Sequence, residues 1–270
     1  MVYSKASKSE EAEDIALTVL QKTSDKEIQA FACETLAIIM ENIEDLDSAI
    51  YYWKRCIELS KAKYYGKALY TLSKLYYQKG DVEKALGVVK IEGYNTMSFN
   101  VARSHIYVGE GDLEKALSAL DEETSIKKED EIRAYAEMKF MRGLIAEKNN
   151  SYDEALDYYK EAMKETNNKT SIYWDSLYRS ANINYKLKRE DRAIPMCEEI
   201  IKTCTKVSNL IGTYDLLSDI YINRNDMTRA REVYKDAKLS DMEIIGNAKI
   251  DIVEQKYNEE SEVRKLLKMK

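Results

Sequence analysis

One proline, nine glycines and a single histidine are spread over 270 residues. So few helix breakers argue against a sheet protein built on Gly- and Pro-rich turns, and with 44% apolar residues the chain is too hydrophobic for a disordered one. Four cysteines are too few for a disulfide framework and read as buried packing residues. No stretch approaches the eighteen uninterrupted apolar residues of a membrane-spanning helix. The opening MVYSKASKSEEAED carries lysines but no apolar run of leader length. A soluble intracellular protein is expected, cytoplasmic or nuclear.

The shortage of reactive side chains extends to chemistry. His105 alone supplies neither a histidine metal cluster nor a hydrolase triad. GEGDLEK (109–115) contains Gly-x-Gly but lacks the third glycine of a phosphate-binding turn. The many Asp and Glu residues do not fall at calcium-loop spacing. No catalytic residue, metal ligand or cofactor is therefore expected, and the chain reads as a non-enzyme. A net charge of −6 also argues against a nucleic-acid partner, because phosphate binding draws on clustered Lys and Arg. The basic close, EVRKLLKMK, reads as a charged helix end and not as a membrane contact.

What the chain has is periodicity. Ala49, Ala85, Ala116, Ala155, Ala193 and Ala230 each sit in a near-copy of one pattern, as in LSKLYYQKGDVEKAL (72–86) and LSDIYINRNDMTRAR (217–231). Their separations, by subtraction, are 36, 31, 39, 38 and 37 residues, within the range of stacked helical units. Small residues (Ser73, Ser104, Gly143, Ala181, Ser218) recur where a helix pair must cross closely. Asp45, Asp81, Asp112, Ser151 or Asp226 stands four residues before five of the alanines, placed to accept from the free N–H groups that open a helix. Ser151 with Glu154 has capping-box spacing. Arg189 breaks the rule in the repeat that also holds Pro195, where a weak or bent helix start is expected. The short interval after Ala85 predicts a shortened helix and a change of pitch between residues 87 and 97.

Leu72, Ser73, Tyr76, Gly80, Asp81 and Ala85, like Leu217, Ser218, Tyr221, Asp226, Ala230 and Tyr234, resemble the tetratricopeptide repeat. The copies with Arg103, Arg142 and Ser180 at the leucine position and Asn184 at the tyrosine position are looser. The resemblance implies an all-α fold, a right-handed α-α superhelix or solenoid of about six hairpins with a helix-only cap at each end. The expected divisions are an N-terminal half-repeat or cap at 1–28, repeats near 30–63, 66–94, 97–126, 132–168, 172–206 and 209–239, and capping helices at 241–270. It further implies a concave groove lined by the first helices, where Tyr70, Lys74, Tyr77, His105, Phe140, Leu144, Tyr178, Asn182 and Tyr185 are the candidate peptide-binding residues. Phe31, Glu34, Ile38 and Glu41 occupy the same face earlier in the chain.

The function expected is a scaffold or adaptor that binds a peptide segment of a partner protein, as in multiprotein assemblies such as the anaphase-promoting complex. Self-association or partner packing at the N-terminal half-repeat is a further expectation. The alternative is a ligand-responsive regulator whose superhelix changes shape on binding.

Overall fold

The structure, a computed structural model, describes residues 2–59, 61–90, 96–122, 132–166, 170–204, 207–236 and 251. Among them every regular element is an α-helix, as the scarcity of proline and glycine requires. The chain divides into two units, Met1–Ala134 and Tyr135–Lys270.

The first unit contains α1 (Val2–Lys22), α2 (Lys26–Asn42), α3 (Leu46–Leu59), α4 (Lys61–Gln78), α5 (Val82–Gly87), α6 (Met97–Gly109) and α7 (Leu113–Asp121). Helix α8 (Ile132–Lys148) crosses into the second unit, which continues with α9 (Tyr152–Lys164), α10 (Ser171–Lys186), α11 (Glu190–Thr203), α12 (Val207–Asn223) and α13 (Met227–Asp236). A C-terminal cap at 241–270 falls outside the described residues, apart from Asp251, which pairs with Arg231 of α13 at 2.7 Å.

One device closes each of the six repeat hairpins. Glu44, Gly80, Gly111, Asn150, Lys188 and Asn225, each five residues before a repeat alanine, adopt left-handed backbone with φ between 59° and 81°. The next N–H then bonds to the carbonyl five residues back, as in Asp81 to Tyr76 at 2.9 Å and Arg189 to Asn184 at 2.8 Å. This is the Schellman closure of a helix C-terminus. The residue that completes it also opens the following helix. Asp45, Asp81, Asp112 and Asp226 accept from the backbone N–H three residues on, at 3.0–3.1 Å.

Ser151 departs from the expected capping box, for its side chain makes no cap hydrogen bond. Its ψ of 66° lies near that of Asp81 and Asp112 (73° and 80°), where a carboxylate reaches the N–H groups and a shorter hydroxyl does not. Thr96 and Thr170 do cap, from extended backbone with ψ of 154° and 148°. Arg189 caps nothing either; it reaches back to Asp153 in the first turn of α9, at 2.8 Å. Pro195 sits at the sixth residue of α11, beyond the helix start, so the Asp191 carbonyl has no i+4 amide to receive.

The six repeat alanines are fully buried, because the second helix approaches the first at that point. Ala12, 37 residues before Ala49, is only half buried. Helix α5 is six residues long against fourteen for α3, yet Val89, just past its end, still fills the core position that Trp53 fills in α3. The expected pitch change falls mainly on 91–95, outside the described residues.

Candidate functional site

Each first helix carries two adjacent positions with opposite fates. Twelve residues before the repeat alanine stand Ala37, Ser73, Ser104, Gly143, Ala181 and Ser218, all small and all buried. One residue later stand Ile38, Lys74, His105, Leu144, Asn182 and Asp219, a different side chain in every repeat. Ile38, Lys74 and His105 are exposed, and Asn182 and Asp219 are half-buried. Leu144 corrects the expectation for this row: at 9% exposure it is withdrawn into the core. An apolar leucine gains by leaving water, whereas the Lys74 ammonium must stay hydrated.

In the first unit, Tyr70, Lys74 and Tyr77 share α4 and His105 lies on α6. Tyr70 packs against the Leu69, Val89, Phe99 and Ala102 cluster, with the Lys74 ammonium 5.6 Å from its ring. Tyr77 reaches the end of α6, where its hydroxyl occupies the space a Cβ on Gly109 would need. Desolvation, with Glu110 beside it, pushes the Tyr77 phenol above its ordinary value.

In the second unit, Phe140 and Leu144 lie on α8, and Tyr178, Asn182 and Tyr185 on α10. Phe140 stands 5.6 Å from the Tyr159 ring and 5.9 Å from the Arg179 guanidinium. Asn182 donates to the Tyr178 carbonyl at 3.0 Å. Tyr178 lies against Gly212 of α12, and Tyr185 accepts from the Asn223 amide.

Tyr77 and Tyr185 stand eight residues before their alanines, and both contact the residue seven before the next alanine, Gly109 or Asn223. Glu147, at the same place, faces Lys186 at 3.7 Å and also holds Arg179 (3.0 Å) and the Tyr159 hydroxyl (2.8 Å). This row therefore ties one repeat to the next. A second row does the same through charge: Asp47, Asp153 and Asp191, two before their alanines, pair with Lys79, Arg189 and Arg224 of the following repeat. Such exposed pairs contribute at most about 1 kcal/mol each.

Sequence reasoning missed two polar arrangements and a cleft. Arg103, at a core position usual for leucine, is buried and donates to Asn100 (2.6 Å) and Glu122 (2.5 Å), binding α6 to the end of α7. Asn209 donates to Asp175 at 2.9 Å between α12 and α10. A cleft of about 530 Å³ lies among α11, α12 and α13, lined by Ile201, Tyr214, Leu217, Tyr221 and Val233 with Glu198, Glu232 and Arg229.

All four cysteines are free and buried. Burial pushes the Cys197 thiol up to about 12. Among the described residues no group of three His, Cys, Asp or Glu could hold a metal ion, and no helix is long and apolar enough to cross a membrane.

Helix pairs closed by the same turn, with a small residue at each crossing and variable side chains beside it, define a helical-repeat interaction fold. The chain is a tetratricopeptide-repeat protein, matched by that family at residues 101–170 and 211–241. No curated protein matches it in sequence. Its fold is shared by a chain of the APC/C hetero-tetramer Cut9-Hcn1, with a TM-score of 0.62 and 12% identity over 88% of this chain and 46% of that one. It is also shared by NprR in complex with its cognate peptide NprX (TM-score 0.58, 18% identity, 86% of this chain and 71% of that one). A tetratricopeptide repeat protein from Parabacteroides merdae matches at a TM-score of 0.53 and 16% identity, over 91% of this chain and 93% of its own. The chain thus spans less than half the length of the first of these.

Proposed function

We propose that this protein is a non-catalytic interaction scaffold that binds a peptide segment of a partner protein along the exposed face of its first helices. The observation that carries the reading is the contrast between neighbouring positions. The residue twelve before each alanine is always small and buried, while the next changes from Ile38 to Lys74, His105, Asn182 and Asp219. Packing demands sameness at a helix crossing; recognition demands chemical variety at an accessible surface. The half-buried Tyr70, Tyr178 and Tyr185 beside this row add contact area with few rotamers to immobilise. The shared fold of a chain in the Cut9-Hcn1 hetero-tetramer and of NprR in complex with its cognate peptide supports an assembly or a peptide as the partner.

The test is affinity purification with mass spectrometry on the full chain and on Tyr70→Ala/Lys74→Ala/His105→Ala, whose positions are exposed or half-buried. Loss of the same partners from the variant, with helix content unchanged by circular dichroism, is the expected result. Retention of every partner would remove these residues from the interface.

A further inference from the structure

Helix α2 leaves an apolar stripe in water. Phe31, Ile38 and Ile28 are 60%, 42% and 48% exposed, while the chain's other two phenylalanines are buried (Phe99) or half-buried (Phe140). The opposite side of the same helix, through Ala30, Cys33, Ala37 and Met40, is packed against α3. Single exposed apolar residues are ordinary, but a row of them on one helix face marks a contact surface.

The stripe has a charged edge. At about 100° per residue, Glu27, Phe31, Glu34, Ile38 and Glu41 fall within an arc of about 80°. The three carboxylates are seven residues apart, and so are the two apolar anchors. Glu34 pairs with Lys67, and Glu41 accepts from Trp53 Nε1 at 2.6 Å; each carboxylate keeps further acceptor capacity. Residues 2–47, from α1 through α2 into the first turn of α3, carry eleven Asp and Glu against four Lys, a net −7 where the whole chain carries −6.

Seven residues along α2 rise about 10.5 Å. An extended peptide covers that distance in about three residues and turns its second side chain to the far side. A helix covers it in seven and keeps both on one face. We infer that the exposed face of α2 docks an amphipathic helix of a partner protein, with apolar residues seven apart flanked by Lys or Arg. The inference rests on the interaction-scaffold reading and names the partner chemistry at one face of it.

The experiment titrates the full chain into a fluorescein-labelled 21-residue helical probe with leucine every seventh residue and Lys and Arg between, and into a twin with Glu in place of the cations. The basic probe is expected to bind roughly tenfold or more tighter at low salt, with the preference shrinking as salt rises. Phe31→Ser/Ile38→Ser should lower that affinity about tenfold. Glu27→Gln/Glu41→Gln, which keeps an acceptor for Trp53, should remove the preference between the probes. Equal binding of the two probes, or binding unchanged in both variants, overturns the proposal. So does concentration-dependent self-association of the chain alone that Phe31→Ser/Ile38→Ser abolishes, since the occupant would then be a second copy. Partners lost with Tyr70, Lys74 and His105 but kept with Phe31 and Ile38 replaced would leave the scaffold reading standing without this one.

Discussion

Tyr159 fills the space that Gly143 leaves open where α9 crosses α8: a Cβ on Gly143 would lie 2.6 Å from Tyr159 Cε1 and 2.7 Å from Cδ1. The ring cannot swing away, because it is wholly buried and its hydroxyl is held by Glu147. Gly143→Ala should therefore destabilise the protein by about 1–2 kcal/mol, overpacking outweighing the roughly 1 kcal/mol that alanine gains over glycine within a helix. Urea unfolding of the variant checks it; a stabilised variant would mean the ring moves freely.

The left-handed turn position separates the repeats in the opposite direction. Gly80 and Gly111 occupy it without steric cost, whereas Glu44 and Lys188 hold φ of 64° and 59° with a side chain present. Glu44→Gly and Lys188→Gly are each expected to stabilise by about 0.5–1 kcal/mol, the relieved strain exceeding the added unfolded-state entropy. Thermal unfolding of both single variants and the double, expected to add, is the check.

Ser73, Ser104 and Ser218 place their hydroxyls at the hairpin crossings with no hydrogen-bond partner, fully buried. Ala37 and Ala181 stand at the same position in other repeats. Serine-to-alanine changes at these three sites should each stabilise by about 1 kcal/mol, since a buried unpaired hydroxyl costs more than the methyl that replaces it. Denaturant midpoints rising with each substitution would bear this out, and falling midpoints would reveal a partner for the hydroxyl.

Acid should loosen the hairpins. The Asp81 and Asp112 carboxyls sit below their ordinary value of 3.8, held there first by side-chain hydrogen bonds from Lys84 and Lys115 and then by the backbone N–H groups they cap. Asp45 is lowered in the same way by Ser48. A carboxyl depressed on folding contributes stability that is complete above its unfolded value and is lost as pH falls through the folded one. The melting temperature should thus hold steady above about pH 5 and fall below about pH 4. Asp81→Asn/Asp112→Asn should flatten that fall; an unchanged acid limb would assign it to other groups.

Much of the array is legible in the chain because its determinants are local. A helix crossing needs a small side chain, so the alanine rhythm declares the pairs; a helix start needs an acceptor, so the aspartates mark the turns. Ser151 and Pro195 were harder to read, since a cap depends on ψ as well as on residue type and a proline's cost depends on which turn it falls in. Leu144 departs from its row for another reason. Its position in the repeat is shared with Lys74 and His105, and only the surrounding packing withdraws it from water.

Alone, then, the sequence determined an all-α repeat protein, because spacing and capping act within a few residues of each side chain. Tertiary structure decided which side chains are left exposed. The interlocking of Tyr77 with Gly109, of Tyr185 with Asn223, and of Glu147 with Arg179 and Lys186 joins residues more than thirty positions apart. So does the contrast between a buried Leu144 and an exposed Phe31, for burial depends on what the neighbouring helices leave uncovered.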